Sequence, residues 1–344
     1  NGYTDDLIGW DSSGYLGVDD PDPYPREDAA SNGTWAHGTH VAGILAATTD
    51  NGLGMSSAVY NAKIISVKTS RDYQQTDPGV NDGYAGITYA AKAGYYSGTF
   101  TIINNSWGTS TNGCSSASNC ESAIGSSTYA AMKTATNTNG KILVWAAGND
   151  GYANPGAEAH AVVHDSDLQG LSVAVVAVDA TNADSADGDS DARISSFSNR
   201  CGDAAAYCIA APGGDITSVG RANGQTFYAL DGTSFAAPLV SGGLALIKQE
   251  FSSLTNKQVV SRLFTTALDT DEYSQSSIYG HGLMNLAAAT AAVAELQTIN
   301  GSNLLDDPKT SYYDLVDNSF TSSAAFSNAL SAALEGQTME VYDS

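Results

Sequence analysis

The 344-residue chain carries 14 Lys and Arg against 37 Asp and Glu, a net charge of −23. That excess repels phosphate backbones and anionic head groups, which argues against nucleic-acid and membrane-surface partners. At roughly 150 residues per domain the length suggests two domains, or one large α/β domain with insertions, and 42% apolar residues with 18 Tyr, 8 Phe and 4 Trp exclude a disordered chain.

In chain order, residues 1–36 are turn-rich and acidic, with Asp19, Asp20 and Asp22 set among Pro21, Pro23 and Pro25. From His37 onward, apolar segments alternate with stretches of small residues. Segments 63–67, 100–104, 141–146 and 171–178 are short and either β-branched or continuously apolar, as strands covered on both faces are. Helices are expected between them at 37–47, 83–93 and 120–136. This alternation predicts an α/β fold, a mostly parallel central sheet with helices on both faces. A long apolar helix follows at 235–251, and Thr255 with Gln258 forms a capping box that opens another through Ala267. Beyond about residue 300 the chain is Ser- and Asp-rich with weak periodicity, an extension or linker. Apolar runs such as 171–178 are far short of a membrane span. No basic region followed by an apolar one stands at Asn1, as in a mature chain whose leader has been removed.

The 4 cysteines fall in two local pairs, Cys114 with Cys120 and Cys201 with Cys208, each bracketing a loop of small or polar residues. Two small disulfide loops and an oxidising, extracytoplasmic compartment are therefore expected. Neither pair has C-x-x-C spacing or a His close in sequence, which argues against a zinc site or a thioredoxin-like motif.

Three islands carry the chemistry. In His37-Gly38-Thr39-His40-Val41-Ala42-Gly43, the small residues let a helix start hard against a sheet with an imidazole at its N-terminal edge. His37 and His40 also share a helix face, but the Glu of H-E-x-x-H and an obvious third ligand are missing, so a metal reading is weak. In Trp145-Ala146-Ala147-Gly148-Asn149-Asp150 an apolar strand runs into Gly-Asn, so Asn149 emerges at the strand edge where open parallel sheets bind ligands; taken alone, the block reads more readily as an ordinary turn. In Asp231-Gly232-Thr233-Ser234-Phe235-Ala236-Ala237-Pro238 a serine opens a buried helix, where its own backbone N–H faces whatever the hydroxyl attacks. Pro238 in the interior of that helix, at a cost of about 3 kcal/mol, signals that local shape matters there.

Together with Asn104-Asn105-Ser106-Trp107-Gly108, these blocks resemble, in this order, the signature segments of subtilisin-like serine proteases, over roughly residues 1–295. Ser196-Phe197-Ser198-Asn199, Ala210-Ala211-Pro212-Gly213 and the stretch 279–286 are similar to further family segments, and the wording of 199–208 with the tail most resembles bacterial autotransporter subtilases. The resemblance implies a catalytic domain at 1–295, an extension at 296–344, and a secreted or cell-surface endopeptidase acting on polypeptides. By position, Ser234 would be the nucleophile and His37 the general base. The Asn149 amide would complete an oxyanion hole, and Ser106, Trp107, Gly108, Ala146, Ala147 and Gly148 would line the cleft. It also implies calcium, for which Asp184, Asp187, Asp189 and Asp191 are the local candidates, against the alternative of a solvated acidic loop. The family's third catalytic residue is an Asp closing an apolar strand upstream of the histidine block. Asp11-Ser12-Ser13-Gly14 is the one look-alike, yet Gly9-Trp10-Asp11 better matches the strand that follows it in the family. The expectation is that the acid-bearing strand lies outside this sequence, either nicked off and held as an N-terminal fragment or truncated; the autotransporter resemblance further implies an outer-membrane barrel after the chain in its precursor. Two readings compete: a catalytically impaired surface or assembly module of the same fold, and a metal hydrolase built on His37 and His40.

Overall fold

The computed structural model describes residues 9–13, 21–24, 37–52, 54–60, 62–70, 83–93, 102–179, 193–220 and 227–291. The acidic stretch with Asp184, Asp187, Asp189 and Asp191 and the residues from 292 lie outside the described residues. Two compact units divide the chain, Asn1–Asn285 and Leu286–Ser344. The described part of the second is one short helix, Leu286–Ala289, and the two residues after it.

At the centre of the first unit, β3 (Ile102–Asn105), β4 (Ile142–Ala146), β5 (Ser172–Asp179) and β6 (Cys208–Gly214) lie side by side in chain order, all parallel. β4 is buried at every position and β5 at all but its last, which is why both read as unbroken apolar runs rather than alternating ones. Alternate side chains still divide between two layers. Leu143, Trp145, Ala174, Val176 and Cys208 join Ile87 and Ala91 of α2 (Gly83–Ala93) and Tyr129 and Met132 of α4 (Ser126–Lys133) in one core cluster. On the other face, α6 (Thr233–Glu250) crosses all four strands and packs against α1 (His37–Ala46) and α7 (Asn256–Thr265). The outer edge of β6 is covered by the segment at 280–284: Ala210 N–H donates to Gly282 O at 2.9 Å, and Met284 N–H to Ala210 O at 2.9 Å. Covering that edge removes a template for pairing with other chains.

Two smaller ribbons complete the architecture. β1 (Gly9–Asp11) pairs in parallel with β2 (Ser66–Lys68), and β7 (Ile216–Val219) pairs antiparallel with β8 (Phe227–Leu230). Asp11 holds β1 to β2. Its Oδ2 accepts from Lys68 Nζ at 2.8 Å and its Oδ1 accepts the Ser13 amide at 2.8 Å, with the side chains of Asp11 and Lys68 only 8% and 10% exposed.

Several expectations hold. The capping box forms in full, with Gln258 N–H donating to Thr255 Oγ1 and Thr255 N–H to Gln258 Oε1, and both cysteine pairs are disulfides. Others need correction. The single helix expected at 120–136 is two, α3 (Ala117–Ile124) and α4, the latter running into a π-turn at Thr134–Thr138. The break falls at Gly125, whose φ of +91° leaves the helical region and which a side chain would resist. The strand expected at 63–67 is reduced to Ser66–Lys68, and Ile64 and Ile65 before it are 46% and 43% exposed. β6 itself was not anticipated, because Pro212, Gly213 and Gly214 read as punctuation; at a sheet edge a proline's missing N–H is tolerated. Finally, histidines do lie beside one cysteine pair. Cys114 meets His160 and His164, residues 46 and 50 positions further along the chain, where no sequence spacing could show it.

Candidate functional site

The three islands converge where parallel strands end. Asn105 of β3 stands opposite Trp145 of β4, so the chain leaving β3 (Ser106–Gly108) and the chain leaving β4 (Ala147–Asn149) emerge side by side. The N-terminus of α6 brings Thr233 and Ser234 to the same edge.

Ser234 is half-buried, and its Oγ–H donates to Ser106 O at 3.1 Å. In return, Ser106 Oγ–H donates to Ser234 O at 2.7 Å. Pro238 accounts for the second bond. In an α-helix the Ser234 carbonyl would accept from the N–H four residues on, and Pro238 has none. The orphaned carbonyl is taken by Ser106 instead, so the helix-interior proline ties one wall of the site to the serine. Ser106 Oγ is in turn oriented by Asn104 Nδ2 at 3.0 Å, and Asn104 Oδ1 accepts from Ser241 Oγ of α6 at 2.9 Å.

Asn149 is exposed, and its amide is held in one orientation. Oδ1 accepts from both the Thr233 backbone N–H and the Thr233 hydroxyl, each at 2.9 Å, and Thr233 Oγ1 in turn accepts the Gly148 N–H at 3.2 Å. With Oδ1 committed to donors, the Nδ2 hydrogens are turned toward Gly232, where a β-carbon would come within 3.6 Å of Nδ2. The loop is clamped from below by Asn199, fully buried: its Nδ2 donates to Ala147 O at 2.8 Å and its Oδ1 accepts the amides of Asp150 and Tyr152 at 3.1 and 2.9 Å. Gly148, at φ +108°, has no room for a side chain, because a β-carbon would collide with Asn199 Nδ2.

His37 is exposed at the start of α1, and its ring lies 5.5 Å from that of Phe235, the residue after Ser234. Phe235 also carries His40 at 4.7 Å. His40 is fully buried; its Nε2 donates to Ile216 O at 3.0 Å, and burial pushes its pKa down despite that bond. An imidazole so committed to a carbonyl serves as a strut of α1, not as a ligand paired with His37.

Among the cleft residues, Gly108 is exposed, Ser106 and Trp107 are half-buried, and Trp107 packs edge-on against Trp145 at 5.1 Å. Ala147 is sealed, its N–H given to Val175 O and its carbonyl shared by Asn199 and Gly156. Thr233, Asn199 and Glu158 carry much of this geometry and were not singled out from sequence. Glu158 sits on α5 (Ala157–His160) beneath the chain leaving β3. Its Oε2 accepts the Thr109 N–H at 2.8 Å and hydroxyl at 2.9 Å, only 4% of the residue is exposed, and burial raises the carboxyl pKa against the opposing pull of those bonds.

A family model described as the subtilase family matches residues 11–282. Serotype-specific antigen 1 of Mannheimia haemolytica is 36% identical over 164 residues, which are 46% of this chain and 16% of that protein. The extracellular serine protease of Serratia marcescens is 28% identical over 323 residues, 77% of this chain and 28% of that protein. The chain thus spans less than a third of the length of either. Among solved structures, a protease from Pseudoalteromonas arctica superposes with a TM-score of 0.57 at 28% identity, covering 83% of this chain and 84% of that one.

A carboxyl whose pKa is raised on folding binds protons more tightly in the native state, so its contribution is complete below the ordinary glutamate value of 4.5 and is lost as pH rises through the raised value. Glu158→Gln keeps an oxygen acceptor for Thr109 and removes the titration. Denaturant midpoints measured across pH should show wild type losing stability relative to this variant as pH rises above 4.5. A difference between the two that is constant with pH would contradict it.

Proposed function

The chain belongs to the subtilase family, and on that premise we propose that it is a secreted or cell-surface endopeptidase that hydrolyses polypeptides through an acyl-enzyme on Ser234. The observation that carries the reading is the clamp of Asn149 by Thr233, because it turns an amide N–H₂ toward the helix end where Ser234 stands. In the proposed reaction His37 takes the Ser234 proton as Oγ attacks the substrate carbonyl, then returns it to the departing amine. Water attacks the ester next, with His37 again as base. Asn149 Nδ2 and the Ser234 N–H, one of the first-turn amides of α6 that has no intrahelical acceptor, would hold the oxyanion. Ser106, Trp107 and Gly108 offer an extended wall along which a substrate strand could lie, with Ala146 and Gly148 on the opposite side; Ala147, expected there from the resemblance, is sealed with its backbone committed and supports that wall from beneath. Extracellular location is supported by the two disulfides and by the Serratia marcescens relative, which is named an extracellular protease.

The triad acid is proposed to come from a strand outside this sequence, on an N-terminal fragment. Three features support that assignment. Among the described residues β2 pairs with β1 and β3 with β4, while β2 and β3 belong to separate sheets. Ile64 and Ile65 are exposed directly before β2. Asp11, the one look-alike, has both carboxylate oxygens committed to Lys68 and Ser13. The autotransporter kinship and a downstream outer-membrane barrel remain proposals resting on the wording of 199–208 and the tail.

Labelling with a fluorophosphonate separates a working enzyme from an impaired module. Wild type should be labelled and Ser234→Ala should not, while Asn149→Ala should cut kcat by about 10²–10³, a magnitude borrowed from this same family. Labelling that survives in Ser234→Ala would remove the nucleophile assignment. Asp11→Asn should lower stability by about 2 kcal/mol, the worth of a hydrogen bond to a charged group, and leave kcat within about threefold. A fall of about 10⁴, the cost of disabling a triad acid, in a folded Asp11→Asn chain would make Asp11 the acid after all. Structural calcium at Asp184, Asp187, Asp189 and Asp191 is proposed on donor chemistry alone, four carboxylates within eight residues of sequence. Chelation should then lower Tm by several degrees, and an unchanged Tm would dispose of the ion.

A further inference from the structure

Away from the proposed catalytic groups, four ligand-bearing side chains meet on the far side of α5. Cys114 precedes α3 and Cys120 lies on it, His160 closes α5, and His164 follows one turn later across the 3₁₀ turn Ala161–Val163. One ligand atom from each falls within 4.8 Å of all the others. Cys114 is 8% exposed, Cys120 and His160 are fully or almost fully buried, and His164 is half-buried. His160 Nδ1 lies 3.6 Å from Cys114 Sγ and accepts the Cys114 N–H at 3.3 Å, and its buried Nε2 has no hydrogen-bond partner. Gly113, at φ +72°, lets the chain wrap tightly there; a β-carbon would come within 3.2 Å of that imidazole's Nε2. His164 Nε2 donates to Cys114 O at 2.7 Å.

This arrangement exceeds what a disulfide requires. Among the described residues, the Cys201–Cys208 bridge belongs to no such cluster. A bridge between residues six apart also needs no imidazole beside it, yet His160 Nδ1 stands 3.6 Å from Cys114 Sγ. Two sulfurs and two imidazoles are a complete tetrahedral donor set for zinc, whose bonds of about 2.0–2.3 Å place ligand atoms about 3.3–3.8 Å apart. We propose that, when the Cys114–Cys120 bridge is reduced, Cys114, Cys120, His160 and His164 form a Zn²⁺ site, and that closing the bridge expels the metal.

The electron and proton balance is simple. A phosphine reductant gives two electrons to the S–S bond and becomes its oxide with the oxygen of one water, whose two protons yield two thiols; a cellular dithiol does the same while closing its own disulfide. Zn²⁺ then replaces the two thiol protons, and the imidazoles bind neutral. Such a site would bridge α3 to α5 in a chain that has not yet reached an oxidising compartment, a link the disulfide does not make, since it ties α3 only to the chain just before it. Through Glu158, α5 also supports the chain leaving β3.

The whole chain, reduced with a phosphine that is then removed without air, should be titrated with Co²⁺ as the spectroscopic stand-in for zinc. One Co²⁺ per reduced chain, with thiolate-to-metal charge transfer and tetrahedral ligand-field bands displaced by Zn²⁺, is expected, and the oxidised chain should show none. The double variant Cys201→Ser/Cys208→Ser should keep the bands and Cys114→Ser/Cys120→Ser should lose them. His164→Gln should weaken binding by more than the roughly 10–100-fold that loss of an outer-shell partner alone costs. The comparison of oxidised with reduced wild type needs no substitution, so a variant that fails to fold leaves it intact. No thiolate–cobalt bands in reduced wild type, or bands that persist without Cys114 and Cys120, would overturn the proposal.

Discussion

The burial of α6 against the carboxyl half of a parallel sheet is the contact on which the other features hang. An 18-residue helix with Phe235, Ala236, Ala237, Val240, Leu244 and Ile247 fully or almost fully buried cannot slide or rotate without opening that interface. At about 1.5–3 kcal/mol for each large apolar side chain buried, the helix axis is set far more firmly than any loop could set it. Its first turn therefore arrives at one place relative to the strand ends, and Thr233 and Ser234 arrive with it. The parallel sheet does the complementary work, since every strand end at that edge faces the same way.

Polar groups then fix what burial leaves loose. A helix end leaves N–H groups without partners and an internal proline leaves a carbonyl without one. Here each vacancy is filled from the facing loops: Thr233 N–H by Asn149 Oδ1, and Ser234 O by Ser106 Oγ. The same bonds that satisfy the backbone of α6 thus orient the amide of Asn149 and the wall at Ser106. Asn199 repeats the logic one layer down, meeting two amides and a carbonyl of the turn after β4 with one side chain. Such arrangements hold catalytic groups within a narrow range because moving one would leave a buried polar atom unpaired.

Charge plays a smaller and more local part. The net charge of −23 acts on partners and solubility, not on the fold. Inside, burial lowers the pKa of His40 and raises that of Glu158, and each side chain is held by its own hydrogen bonds, one to the Ile216 carbonyl and one under the chain leaving β3. Each supports a segment that carries a candidate reacting or binding residue, so each couples local stability to pH at opposite ends of the site.

The sequence alone determined whatever follows from near-neighbour chemistry. Runs of buried strand residues, the Thr255–Gln258 capping box, the bounds of α2, the local disulfides and the blocks around His37, Asn149 and Ser234 all depend on residues within one element or one turn. The tertiary structure decided what depends on distant partners. Glycine at 125 could have been tolerated within a helix, and its break became visible only once α3 and α4 packed separately. Pro212 hid β6, because only the sheet order shows that its strand lies at an edge. Thr233, Asn199 and Glu158 act through partners 84, 52 and 49 positions away, and His160 reaches Cys114 across 46. Sequence spacing carries no information about such pairs, since the contact is created by the folding of the sheet that brings the two ends of the separation together.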